Sequence, residues 1–361
     1  MLKLLQEADV VVCVGSGGVG KTTVAASIAV LGAQLGRRVL VLTVDPSRRL
    51  KTTLGLGDQG EITKIKDPSI TGELWAGVIQ PKQIFDDFVR RAAQKVELAE
   101  KILKNKLYIQ LSTTLSGSQE FTAMEKLYSA YESKKYDLII LDTPPTKHAI
   151  DFLHAPEKLS VLFNEKISKW FRDPEGKDRG LISNLLHTGT RQVLKILESL
   201  TGSEFIHELG DFFFNIQSWQ SKLQDRTAAV HRLLVGTKTH FCLVSSFDEA
   251  KLKEAEFFSR EIKKGGYQLS SVIINKAYPK WLDPQLNAPS DQQRTGNTAL
   301  HSLWNQMTDY YRQKDTCNRS FAAKMSSRCP VLKLPELEHD IADFQGVKEM
   351  ADVIRQVGVQ S

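Results

Sequence analysis

The sequence predicts an α/β fold, a parallel sheet flanked by helices and carrying an inserted helical subdomain. Three observations carry this expectation. The apolar run Val10-Val11-Val12-Cys13-Val14 leads through a glycine-rich turn, Gly15–Gly20, into the helical pattern of Thr23–Ala29. A second apolar run, Arg38–Val44, follows, so strand, helix and strand form a βαβ unit whose strands run parallel. Residues 147–235 hold almost no strand signal and read as several helices, with breaks at Arg172–Gly180 and Thr201–Ser203.

The remaining elements follow in order. Residues 51–73 read as a loop region rich in Gly and Thr, and Glu73–Ile79 as a short strand. From Lys82 to Ala130 the apolar spacing is helical, broken at Ser112–Ser118. Tyr136–Asp142 is an apolar strand that closes on an aspartate. Strands resume at His240–Ser245 and Ser271–Asn275, with helix Glu249–Lys264 between them. Tyr278–Thr298, with Pro279, Pro284 and Pro289, is expected to be a mobile loop. A helix from Thr298 to about Lys324, a strand Pro330–Leu334 and a helix Phe344–Val357 complete the pattern. The expected division is a nucleotide-binding domain from 1–81, 131–150 and 236–361, with helical regions at 82–130 and 151–235.

Composition narrows the setting. With 361 residues and 41% apolar composition the chain can bury one large core or two smaller ones. It has no run of eighteen apolar residues, so it is not expected to be an integral membrane protein. Its start, Met1–Glu7, is too short and too quickly acidic for a secretory leader. Cys13, Cys242, Cys317 and Cys329 are widely spaced and form no C-x-x-C, which indicates neither a disulfide framework nor a zinc site and points to a reducing, cytoplasmic setting. The net charge of +6 is spread along the chain. It reads as a solvated basic surface, with an acidic partner as the alternative and no nucleic acid expected.

Gly15-Ser16-Gly17-Gly18-Val19-Gly20-Lys21-Thr22-Thr23 fills the phosphate-loop pattern G-x-x-x-x-G-K-[ST], with a strand before it and a helix after it. Glycines allow successive backbone N–H groups to face one concavity, and the helix N-terminus adds positive potential. Lys21 is placed to reach the β- and γ-phosphates and Thr22 to offer its hydroxyl to Mg²⁺. The strand ending at Asp142 matches the Walker B pattern, which lifts a carboxylate beside the loop to hold the Mg²⁺ water shell.

The phosphate loop, Val44-Asp45-Pro46-Ser47 and Leu141-Asp142-Thr143-Pro144-Pro145-Thr146-Lys147-His148 together resemble the family of arsenite-pump and tail-anchored-protein-targeting ATPases. That family sits in the wider class of nitrogenase-iron-protein and MinD-like phosphate-loop NTPases. Further stretches share the resemblance: Leu74-Trp75-Ala76 with Ile79-Gln80-Pro81, Val272–Asn275, and Val331–Glu336. It implies ATP and Mg²⁺ as ligands and ATP hydrolysis as the activity. Asp45 matches the switch I aspartate that orients or deprotonates the attacking water and sits beside Mg²⁺; its alternative role is to cap the following turn. Asp142 matches the switch II residue that meets Mg²⁺ through water. Asn275 matches the residue whose amide reads the adenine edge, and Pro335 falls in the loop after the final strand. The stretch Asn275-Lys276-Ala277-Tyr278 lacks the Asp of a guanine reader, so ATP rather than GTP is implied. His148 matches too, as a cap or a sensor.

Departures from the family pattern matter as much. The family's signature lysine is replaced by Ser16, which leaves a homodimer that sandwiches ATP without its trans-acting cation. Arg48, Arg49 and Lys147 are cations where the family carries small or polar residues. Arg48 or Lys147 is a candidate substitute, the alternative being a solvated basic rim. Neither the zinc C-x-x-C nor the paired arsenite cysteines are present. Residues 147–235 contain no methionine but do contain Phe212-Phe213-Phe214, Trp170 and Trp219, a stiffer set than an adaptable client groove favours. The expected role is an ATP-driven switch whose helical subdomain binds a protein partner or an apolar client. A MinD-like positioning ATPase is the alternative, and arsenite efflux is disfavoured by the cysteines.

Overall fold

The structure, a computed structural model, describes residues 1–44, 54, 62–92, 96–105, 109, 118–143, 220–279, 298–326 and 329–360. Its strands are β1 (Val10–Val14), β2 (Arg38–Thr43), β3 (Thr63–Ile65), β4 (Glu73–Val78), β5 (Leu138–Asp142), β6 (Thr239–Ser246), β7 (Leu269–Pro279) and β8 (Val331–Glu336). They form one eight-stranded sheet of order β3-β4-β2-β5-β1-β6-β7-β8. Every pairing is parallel except that of β3 with β4. The described helices are α1 (Leu2–Glu7), α2 (Lys21–Gln34), α3 (Pro81–Ala92), α4 (Val96–Leu103), α5 (Ser118–Glu132), α6 (Gln220–Val235), α7 (Glu249–Lys264), α8 (Thr298–Ser326) and α9 (Phe344–Gln360). The α/β class that the sequence predicts is the one observed.

The chain divides into two compact units, one of Met1–Ile79, Ala123–Leu153 and Arg232–Ser361, the other of Gln80–Thr122 and His154–His231. The first holds the whole sheet. β1 and β5 are buried at every position, as unbroken apolar runs require of strands covered on both faces. On one face Val24, Ile28 and Leu31 of α2 share a core with Val11, Val39 and Ile140 of the sheet and with Val347, Ala351 and Ile354 of α9. α2 is therefore apolar nearly all round, because it lies between the sheet and a second helix. In the other unit, α3 packs against α4, and Ile84, Val89, Ala99 and Ile102 are buried.

Three elements differ from expectation. β3 lies in the stretch that reads as a loop; it is a short edge strand with pairing on one side only, so it needs no apolar alternation. Lys64 within it pairs with Glu73 and lies over the Trp75 ring. α1 occupies the opening residues. The last carbonyls of a short helix need outside donors, and Arg37 supplies them, donating to the carbonyls of Leu5 and Ala8 at 2.6 Å each. β7 runs on to Pro279, beyond the expected end at Asn275. A register shift between Ile274 and Tyr278, with Lys276 at φ +53°, lets the strand resume, so that Tyr278 and Pro279 pair with Pro335 and Glu336. Tyr278 and Pro279, read as the start of a mobile loop, thus belong to β7; the rest of that stretch, residues 280–297, lies outside the described residues, as do the aromatic-rich stretch 144–219 and the switch residues Asp45, Arg48, Arg49, Lys147 and His148.

Candidate nucleotide site

The sheet order reverses about β1, with β5 and β2 on one side and β6 and β7 on the other. In such sheets the crevice that takes a ligand opens at the carboxyl ends of the strands at this reversal. β1 ends here at Val14, and the chain turns through Gly15, Ser16, Gly17, Gly18, Val19 and Gly20 to enter α2 at Lys21. Gly20 caps the helix in the left-handed region at φ +82°, a conformation only glycine adopts at little cost. A Cβ at Gly20 would overlap Asn275 Nδ2, and a Cβ at Gly15 would overlap the Val244 carbonyl of β6. The turn is thus pressed against two neighbouring strands.

Asn275 is 4% exposed. Its Nδ2 donates to the Val19 carbonyl at 2.9 Å and so ties the glycine turn to β7. Its Oδ1 is buried without a hydrogen-bond partner among the described residues. Beside it, Lys276 pairs with Glu336 at 3.0 Å, next to Pro335. Ser16 is buried in the turn at 8% exposure.

Asp142, fully buried at the end of β5, is the hub of the site. Its Oδ1 accepts from Lys21 Nζ at 3.1 Å. Its Oδ2 accepts from Thr22 Oγ1 at 2.7 Å and from Thr43 Oγ1 at 2.8 Å. Three donors offset the cost of burying a carboxylate away from water. Lys21 Nζ also donates to the Thr143 carbonyl. The Thr143 hydroxyl and N–H both donate to the Cys13 carbonyl, at 2.9 and 3.2 Å. Sheet register sets this arrangement, because Asp142 lies opposite Cys13 on β1 and opposite Thr43 on β2.

Lys21 and Thr22 therefore meet Asp142, 121 and 120 residues away, and Asn275 joins them through Val19. Thr43 and Thr143 belong to the constellation too, although sequence reasoning gives them no role. The one signal for Thr43 is a hydroxyl at the carboxyl end of an otherwise apolar strand, Val39–Val44. Two of the four scattered cysteines also meet, for Cys13 lies opposite Cys242 on β6. A hydrogen bond to Cys242, then burial, pushes the Cys13 thiol up and keeps it protonated. Ser271 Oγ donates to Cys242 Sγ at 3.2 Å.

A family model described as anion-transporting ATPase matches residues 8–324. The chain belongs to that family. It is an ATPase, and its sheet and glycine turn are those of the family's phosphate-loop fold. Among curated proteins it is similar to a putative arsenical pump-driving ATPase 1 of Aquifex aeolicus, 24% identical over 94% of this chain and 77% of that protein. ATPase ASNA1 homolog 1 of Paramecium tetraurelia is 23% identical, covering 94% of this chain and 90% of its own length. ATPase GET3 of Malassezia globosa is 24% identical over 74% of this chain and 72% of its own length. Among the described residues of this family member, no helix is long and apolar enough to cross a membrane.

Proposed function

We propose that the chain binds ATP with Mg²⁺ at the carboxyl ends of β1, β2, β5 and β7, and that hydrolysis switches a helical region which holds a protein partner or an apolar client segment. The convergence of Lys21, Thr22 and Thr43 on the buried Asp142 carboxylate, beside a glycine turn, carries this reading. The residues suit the ligands. Asn275 Oδ1 is a buried acceptor in want of a donor, which the adenine amino group supplies. The hydroxyl and carboxylate oxygens of Thr22 and Asp142 are the hard donors Mg²⁺ takes.

Bound Mg²⁺ would neutralise charge developing on the phosphates. On this reading the N–H groups of Gly15, Ser16, Gly17, Gly18, Val19, Gly20, Lys21, Thr22 and Thr23 hold the phosphates. Lys21 turns from Asp142 and the Thr143 carbonyl toward the β- and γ-phosphates. Thr22, whose hydroxyl donates to Asp142, would offer its oxygen to Mg²⁺, and Asp142 and Asp45 would help to hold it. Asp45, by its match to the family's switch I, orients or deprotonates the attacking water. Pro335, expected in a loop, lies instead within β8 opposite Tyr278, from where it would border the base. The name of the pump-driving relative points to an arsenical, whereas the resemblance to the targeting ATPases implies an apolar client. The cysteine that meets another here does so inside the sheet, with no group of three metal-binding side chains among the described residues, so an apolar client is preferred over an arsenical.

The purified chain tests this reading in two steps. Lys21→Ala and Asp45→Asn are each expected to lower Mg²⁺-dependent ATP turnover by about 10²-fold or more, on the scale seen when one charge-stabilising group is removed. Co-purification with a hydrophobic segment when Asp45→Asn traps the ATP state would support client capture. Association with a polar protein assembly instead would move the reading to a MinD-like positioning ATPase. Light scattering with ADP and with a non-hydrolysable ATP analogue reports whether a homodimer forms although Ser16 stands where the family has lysine.

A further inference from the structure

On the ATP–Mg²⁺ reading of this site, we propose that Thr43 is a positioning residue that aims the Asp142 carboxylate at the metal and ties the end of β2 to the end of β5. Three observations support it. Thr43 is 1% exposed and Asp142 fully buried, so water cannot replace the contact. Thr43 Oγ1 donates to Oδ2 at 2.8 Å, the same oxygen that accepts from Thr22 at 2.7 Å. Thr43 lies opposite Asp142 in the β2–β5 register and closes β2, immediately before the stretch that leads to Asp45.

A carboxylate held by a single donor on one oxygen can still rotate about its last torsion. Two hydroxyls on Oδ2, one from α2 and one from β2, with the Lys21 ammonium on Oδ1, fix its plane. When Lys21 leaves for the phosphates, Oδ1 is freed toward the metal's water shell while Thr43 still holds Oδ2. Thr22 must then serve metal and carboxylate together, while Thr43 keeps its hydrogen bond to Oδ2. The bond also joins the end of β2, which runs into switch I, to the end of β5, which runs into switch II. Loss of the Thr43 hydroxyl would let the carboxylate turn and would uncouple the two strand ends.

Thr43→Val keeps the shape and removes only the hydroxyl. The test measures binding of a fluorescent ADP analogue to the full chain in EDTA and across a MgCl₂ titration, with thermal unfolding alongside. The Mg²⁺ concentration giving half of the affinity gain is expected to rise about tenfold in Thr43→Val, the scale for losing a partner of a metal-site carboxylate. Affinity in EDTA should hold, and Thr43→Ser should restore the wild-type titration. An unchanged Mg²⁺ titration in Thr43→Val overturns the positioning role. So does an equal loss of affinity with and without Mg²⁺, which marks a purely structural hydroxyl. A wild-type chain whose affinity ignores Mg²⁺ overturns the metal reading of the site itself, and the Thr43 role with it.

Discussion

At the scale of single residues, the glycine turn tolerates no side chain where it faces Asn275. Gly20 holds φ +82°, and a Cβ there would meet the amide that anchors Val19. Gly20→Ala carries about 1–2 kcal/mol of left-handed backbone strain and displaces Asn275 as well. The expected outcome is a fluorescent-nucleotide affinity at least tenfold weaker in a chain that keeps its circular dichroism; binding at wild-type strength would contradict the geometry described. This turn was legible in the sequence because its logic is local: eight consecutive residues, Gly15 to Thr22, contain the whole pattern. Asp142 was legible because a hydrophobic strand announces its carboxyl end. Thr43 was not, since its meaning lies in a partner 99 residues away that only strand register brings opposite. The Cys13–Cys242 pair escaped notice for the same reason. Spacing along the chain cannot show which strands become neighbours.

At the scale of elements, α2 positions the site, tied at its start to Asp142 and packed along its length against sheet and α9 by apolar contact. Leu31 is fully buried between the sheet and α9. Leu31→Ala is expected to cost about 2–5 kcal/mol in urea unfolding, the range for a leucine truncated in a close-packed core. A loss under 1 kcal/mol would mean that the α2–α9 seam is loosely packed. Long periodic elements such as Glu249–Lys264 were readable to the residue, because one face of α7 is apolar and the other charged. β3 and the end of β7 were not. The former is polar and paired along one edge, and the latter continues through a left-handed Lys276 that no propensity favours. Such elements exist because a neighbouring strand offers hydrogen bonds, and an isolated stretch of sequence cannot display that offer.

At the scale of the molecule, a polar tie joins the segment before β4 to α9. Asp67 accepts from the Ser69 hydroxyl and N–H and pairs with Lys348 at 3.0 Å. The Ser69 hydroxyl first, then the Ser69 N–H and Lys348, hold its carboxyl below the ordinary range. A carboxylate depressed in the folded state stabilises the fold above its unfolded value of roughly 3.9 and loses that contribution as pH falls through the lower folded value. The urea midpoint of Asp67→Asn should therefore lie below that of the wild type at pH 7, with the gap closing as pH drops below about 4. A gap independent of pH from 7 to 2.5 would show that the tie acts through shape rather than charge.

The seam between α2 and α9 also bears on the order in which the protein comes into being. Gln34 on α2 meets Arg355 on α9, 321 residues later in the chain. β1, the strand that launches the glycine turn, needs β6 as its other neighbour. On a ribosome, the helix that seats the phosphates is made early, yet one side of it stays open to water until α9 emerges. The helix that seats the phosphates is thus translated well before the helix that covers it, and in that interval the unfinished protein is itself the kind of apolar cargo that chaperones bind.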